Sequence, residues 1–234
     1  MTAKKTTPRR KTTLRDVQKA STRQRLLEAA RNVFYREGYY AATVDQIVGE
    51  AGASRPTFYL HFKDKEAVLA VLIAEYAARA VPCMERLPGP QPTLDELREW
   101  LGEVGRFIEQ EAAVYSVLGE VSTHRPLNDP QPNQGLATID AWIEALGHRA
   151  PAFAAAALRT DIHAATRAQL LIIEIVWAAG NIVRDRGSAF TAEAVTLVVR
   201  SLYEFLNDPR FHTRVTRPTK LKGAKQLPAS RRPR

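Results

Sequence analysis

The sequence predicts an all-α protein in two parts, an N-terminal three-helix helix-turn-helix domain and a larger C-terminal helical domain, about nine helices in all. Three observations predict it. Apolar residues recur at three- and four-residue spacing along most of the chain, with no competing strand alternation. Capping-box signatures open helical segments at 21–24, 43–46 and 93–96. Pro- and Gly-rich breaks, PCMERLPGPQP at 82–92 and RPLNDPQPNQG at 125–135, separate the helical blocks.

The first helix is expected over 22–37. The Ser21 hydroxyl can accept a first-turn N–H while Gln24 reaches back, and Leu26, Leu27, Ala30, Val33 and Phe34 share one face up to Gly38. The second, over 43–51, starts at the Thr43–Gln46 box, turns Val44, Ile47, Val48 and Ala51 one way, and stops at Gly52. Ser54 caps a third segment, 54–62. LysAspLysGlu at 63–66 marks a break before a longer helix carrying Val68, Leu69, Val71, Leu72 and Tyr76. After the 82–92 connector, the Thr93–Glu96 box begins a helix with Leu97, Leu101, Val104, Phe107 and Ile108 that runs, straight or bent, to about Ser122. Helical pattern resumes through Trp142, Ile143 and Leu146, with Pro151 a kink or end. The stretch after Asp161 is apolar on nearly all sides, which suits a core or an interface. A last helix near Thr191 carries Val195, Val198, Val199, Leu202, Phe205 and Leu206 on one stripe.

Charge is distributed unevenly. The formal +9 of the 234 residues divides into +7 for 1–66, −7 for 67–208 and +9 for 209–234, a basic head, an acidic body and a basic tail. A basic head can neutralise phosphates and release counterions, the sequence-independent part of nucleic-acid affinity. The expected organisation is a disordered basic arm at 1–20, a DNA-binding domain at 21–66, a helical domain at 67–208 and a disordered basic tail at 209–234. The longest apolar run, LLIIEIVWAAGNIV at 170–183, is shorter than a bilayer span of about 20 residues and contains Glu174, so no membrane partner is expected. The basic N-terminus has no apolar signal core behind it, and the single cysteine, Cys83, cannot form an intramolecular disulfide, so the cytoplasm is the expected compartment. No nucleophile motif, phosphate-cradling glycine loop, metal-ligand set or spaced carboxylate pair is recognisable. No enzyme, metal or cofactor is therefore expected.

The three short helices, with only Gly52 and Ala53 between the last two, make a helix-turn-helix. An apolar face anchors the second helix, the glycine permits the tight turn, and the third helix projects so that it can enter a DNA major groove. In SRPTFYLHF at 54–62, Pro56 falls in the first turn, where a missing N–H costs nothing and a fixed φ suits the helix. The segment ATVDQIVGEAGASRPTFYLHFKDKEAVL at 42–69 closely resembles the DNA-binding signature of the tetracycline-repressor (TetR) family of bacterial regulators, with its leading Thr, AlaGly turn, Tyr-x-His-Phe and Lys-Glu pair. Many members carry glycine where Pro56 stands, and the resemblance does not account for the basic tail.

That resemblance implies roles for particular residues. Thr43 would bind a phosphate through its hydroxyl or the freed N–H groups of the first turn. Arg55 would read a base, since a guanidinium can donate two hydrogen bonds to guanine. Thr57, next to Pro56, would meet a phosphate or a thymine methyl. Tyr59 and His61 would clamp the backbone, Leu60 would touch an apolar base edge, and Lys65 would add a phosphate contact. Phe58 and Phe62 are read as core. Lys4, Lys5, Arg9, Arg10 and Lys11 could follow a minor groove.

The resemblance also implies a homodimer through the last two helices, placing two heads on the half-sites of double-stranded DNA. It further implies a small-molecule effector. Trp100, Phe107, Tyr115, Trp142, Glu174, Trp177 and Asn181 supply the aromatic wall and few polar groups that a pocket for a mostly apolar ligand needs. The expected function is a dimeric repressor released from a palindromic operator by that ligand. A non-inducible architectural DNA binder and a transcriptional activator of the same fold are the alternatives.

Overall fold

Thr13, rather than Ser21, begins the first helix. Its hydroxyl accepts the Asp16 N–H at 3.2 Å while the Asp16 carboxylate takes the Thr13 N–H at 3.0 Å, a complete capping box more than two turns ahead of the expected one. The computed structural model describes residues 13–89, 91–124 and 134–211. Part of the expected disordered arm, from Leu14 to Ala20, is therefore helix; Lys4, Lys5, Arg9, Arg10 and Lys11 lie outside the described residues, as does most of the tail.

Among the described residues the chain is all-helical, with ten α-helices and a short 3-10 turn at Pro209–Phe211. The head consists of α1 (Leu14–Glu37), α2 (Val44–Ala51) and α3 (Arg55–Tyr59). The body consists of α4 (Lys65–Met84), α5 (Leu94–Gln110), α6 (Ala112–His124), α7 (Gln134–Gly147), α8 (Pro151–Ala157), α9 (Ile162–Arg184) and α10 (Ala189–Leu206). The expected helix running to about Ser122 is two helices, because Glu111 ends α5 with φ −104° and its carboxylate is held by the Arg79 fork at 2.7 and 2.8 Å. Pro151 stands in the first turn of α8, where no N–H is missed.

The boxes at Thr43–Gln46 and Thr93–Glu96 form as expected. Gly52 ends α2 in the left-handed region, φ 59° and ψ 40°, and the Ala53 N–H closes back on the Val48 carbonyl at 2.9 Å. A Cβ there would meet nothing within 4 Å, so the backbone angle, and not lack of space, calls for glycine.

Two cores form. The head core gathers Leu26, Leu27, Val33, Phe34, Ile47, Phe58 and Phe62, and it draws in Val68, Leu69, Leu72 and Ile73 from α4 and Val117 from α6. The division expected between residues 66 and 67 thus cuts through one packed cluster. The body core begins at Tyr76 and combines α5, α7, α8, α9 and α10 around Trp100, Trp142, Phe153, Leu171, Ile175 and Phe205. By length and composition α4 and α9 could each cross a membrane. Here α4 divides its apolar residues between the two cores, and α9 packs against α5, α8 and α10.

Candidate nucleic-acid interface and adjoining cavity

α3 is only five residues long, and its geometry is set by its surroundings. Ser54 caps it by accepting the Thr57 N–H at 3.3 Å, and Pro56 lies in the first turn. Phe58 is fully buried and Phe62 nearly so, their rings 5.8 Å apart, and these two anchors fix which side faces out. Arg55, Pro56, Tyr59 and Leu60 are left exposed, Leu60 at 76%. An apolar side chain that open at the tip of a tightly packed head has no folding role.

Arg55 is held ready. One guanidinium nitrogen lies 2.9 and 3.1 Å from the two Asp45 oxygens, and the Tyr59 hydroxyl, then Asp45, keep it charged. Both partners are more than half exposed, so the pair orients the side chain more than it stabilises the fold. Asp45 was not anticipated, since ten residues separate it from Arg55 in sequence. The Thr57 hydroxyl lies 2.8 Å from that of Ser54. The Thr43 hydroxyl is committed to Gln46, accepting its N–H at 3.3 Å and donating to its side-chain oxygen at 2.9 Å. What Thr43 offers a phosphate is chiefly the exposed first turn of α2.

His61 is half-buried beside α1. Its Nδ1 is buried without a partner, and burial, then Lys19 and Arg23, hold its pKa below the ordinary histidine value. Arg23 lies over the Phe62 ring at 4.9 Å. Lys19 and Arg23 therefore add two cations next to His61, and their four-residue spacing on one helix face was the available signal.

Lys65 is a correction. Its Nζ donates to the carbonyls of Tyr39 at 2.8 Å, Tyr40 at 3.1 Å and Ala42 at 3.0 Å, and sits 4.7 Å from the centre of the Tyr39 ring. An ammonium has three donors, and all three are used within the protein. Lys65 fastens the α1–α2 loop and leaves no proton for a phosphate.

Behind the head, α4, α6, α7 and α9 enclose a cavity of about 840 Å³. Tyr115, Trp142 and Trp177 line it as expected, joined by Tyr76, Ile139 and Val176 and by the polar Ser116, Thr138, Glu120 and Arg184. The Tyr115 ring lies directly against Gly180, where any side chain would displace it. Four expected lining residues lie elsewhere. Trp100 is core, its indole N–H donating to the Cys83 carbonyl at 3.0 Å. Phe107 packs 5.3 Å from Tyr76 and faces a separate cleft with Arg79 and Arg106. Asn181 donates to the Trp177 carbonyl of its own helix at 2.9 Å. Glu174 lies on the outer face of α9, 3.6 Å from Arg167, in a groove of about 530 Å³ shared with Phe190, Leu197 and Arg200 of α10. Cys83 is buried, and burial pushes its thiol pKa up, away from reactive thiolate.

Comparison with known proteins places the relationship in the head. Residues 26–72 match the profile of bacterial regulatory proteins, tetR family. The HTH-type transcriptional regulator YdgC of Bacillus subtilis, itself uncharacterised, is 44% identical over 66 residues, 28% of this chain and 34% of its own length. The HTH-type transcriptional activator FasR of Mycolicibacterium smegmatis is 34% identical over 99 residues, 42% of this chain and 45% of its own. The chain thus spans less than half the length of these relatives. GusR of Salmonella enterica shares the fold at a TM-score of 0.56 and 20% identity, over 79% of this chain and 96% of GusR. With the motif, the geometry of α2 and α3 and the profile in agreement, residues 26–72 form a DNA-binding head of the kind found in bacterial regulatory proteins of the tetR family.

Proposed function

We propose that the protein is a DNA-binding transcriptional regulator that reads a palindromic operator as a homodimer and leaves it when a small, mostly apolar molecule enters the cavity between α4, α6, α7 and α9. The observation that carries this reading is the exposed face of α3: Arg55, Tyr59 and Leu60 stand outward on a helix whose other side is locked by Phe58. Arg55 reads a base, Tyr59 and the first turn of α2 meet phosphates, and His61 with Lys19 and Arg23 forms a cationic margin.

Dimerisation is supported by an apolar surface with no cover in one chain. Ile173, Trp177, Phe190 and Leu197 are each more than 45% exposed and belong to α9 and α10. Large exposed apolar side chains grouped on two adjacent helices suit a two-fold interface. Leu197→Glu should turn the dimer into a monomer in sedimentation at micromolar concentration, and a wild-type monomer there refutes this part of the reading.

The reading assigns no catalysis and places the protein on DNA in the cytoplasm. The decisive experiment is genome-wide selection of DNA fragments by the purified full-length chain. A shared palindrome bound at moderate salt supports a regulator; uniform, salt-labile coating supports an architectural binder drawing on the basic ends. FasR is named an activator, so the same selection should be followed by transcription assays from the fragments found. Repression relieved on deletion supports release, and loss of transcription on deletion supports activation.

A further inference from the structure

Glu120 stands where the cavity meets the head. It belongs to the cavity wall, and its two carboxylate oxygens accept the backbone N–H of Tyr39 at 2.7 Å and of Tyr40 at 3.3 Å. Bonds from an N–H to a carboxylate are about twice as strong as neutral ones. The same loop is held from α4, where Lys65 takes the carbonyls of Tyr39, Tyr40 and Ala42. One anion from α6 and one cation from α4 thus grip the two polarities of a single turn of backbone. That turn leads directly into Thr43, the cap of α2, against which α3 packs. The approach of Glu120 depends on Gly38, whose φ is +82°; a Cβ there would lie 3.2 Å from each carboxylate oxygen.

We propose that Glu120 is the positioning residue through which the cavity governs the reading head, a role that rests on the ligand-responsive reading above. Its two oxygens join the cavity wall directly to the α1–α2 loop, within reach of a molecule in the cavity. Filling the cavity pushes α6 or engages the carboxylate, the Tyr39 and Tyr40 N–H groups lose their acceptor, and α2 and α3 lose their set orientation against the body. By linkage, the free energy with which an occupant weakens these bonds is the free energy with which it weakens DNA binding.

The test uses the full-length protein with amide hydrogen exchange resolved over residues 38–42, and affinity for a fragment the protein itself selects. Glu120→Ala should speed exchange at Tyr39 and Tyr40 by about tenfold or more, the loss of a charge-assisted bond at each N–H, while α9 and α10 exchange as before. Affinity for the fragment should fall by about fivefold or more, and Glu120→Gln, which keeps one acceptor oxygen, should lie between. Ile139→Trp, which fills the cavity from α7, should speed exchange at Tyr39 and Tyr40 and weaken DNA binding in the native background, and add nothing to Glu120→Ala. Ser116→Phe, at a more open point of the wall, replaces it if the tryptophan variant does not fold. Unchanged exchange at Tyr39 and Tyr40 in Glu120→Ala overturns the proposal. So do additive effects in the double variant, which would mean that the cavity reaches the head by another path. If the native protein selects no palindrome, the regulatory reading fails, and the exchange responses to Glu120→Ala and to cavity filling still decide the coupling.

Discussion

The head and the body solve opposite problems with the same kind of helix. In the head, the two short helices α2 and α3 are pinned against α1 by caps and a dense aromatic centre so that a few side chains can stand outward in one geometry. In the body, longer helices leave room between them and keep an apolar face bare at α9 and α10. Recognition of a rigid surface such as a DNA groove calls for a presenting frame with little freedom. Admitting a ligand calls for space and for helices that can shift, so the body gives up packing that the head cannot spare.

The largest test of this contrast is Phe58→Ala. Removing a ring this buried should cost about 3–5 kcal/mol of stability and abolish DNA binding. Calorimetry will show whether the head melts apart from the body. A single lowered transition for the whole chain would erase the contrast and make the two cores one cooperative unit.

A smaller loss is expected from Arg55→Ala, about 1–3 kcal/mol of discrimination at one base position. Binding measured against a set of single-base operator variants should lose preference at that position; a uniform weakening would make Arg55 a phosphate contact. Ser54→Ala removes the cap of α3 and should cost about 1 kcal/mol in denaturant titration, without changing the preferred sequence.

The smallest effect concerns pH. The folded-state pKa of His61 is depressed, so the unfolded chain binds the extra proton more readily, and stability should fall slightly as pH drops below the ordinary histidine value. A bound phosphate would favour the protonated ring and reverse the sign for the complex. His61→Gln should remove both trends, measured by melting with and without DNA from pH 7.5 to about 5.5, the side on which an ordinary histidine near 6.5 titrates.

Why the head could be read so far ahead of the body follows from what carries the information. Caps, the glycine turn and Pro56 act within a few residues, so Thr43, Gly52, Ser54 and Thr93 show their roles in the linear order. Even there a local signal can be false: Ser21 and Gln24 have the right spacing for a start, yet lie inside α1 because Thr13 and Asp16 form a box earlier in a stretch whose charge suggested disorder. Lys65 defeats sequence reading for a different reason. Three carbonyls converge on it only because the α1–α2 loop folds back over α4. In the body, aromatic spacing indicates that a residue is on an apolar face without telling which neighbour that face meets. Trp142 turned to the cavity, Trp100 to the Cys83 carbonyl, and Glu174 to the outer groove. Glu120 was passed over altogether, since its partners are backbone groups some eighty residues distant.

Val117 carries a lesson for engineering. Val117, with Leu118 and Val121 of the same helix packed beside it, completes the core of the head, so the DNA-reading unit is not a detachable cassette. A chimera that transplants residues 13–84 onto a foreign sensor would leave a hole where Val117 sat, and lineages that exchange sensor domains around such a head must conserve, or reinvent, a plug at that joint.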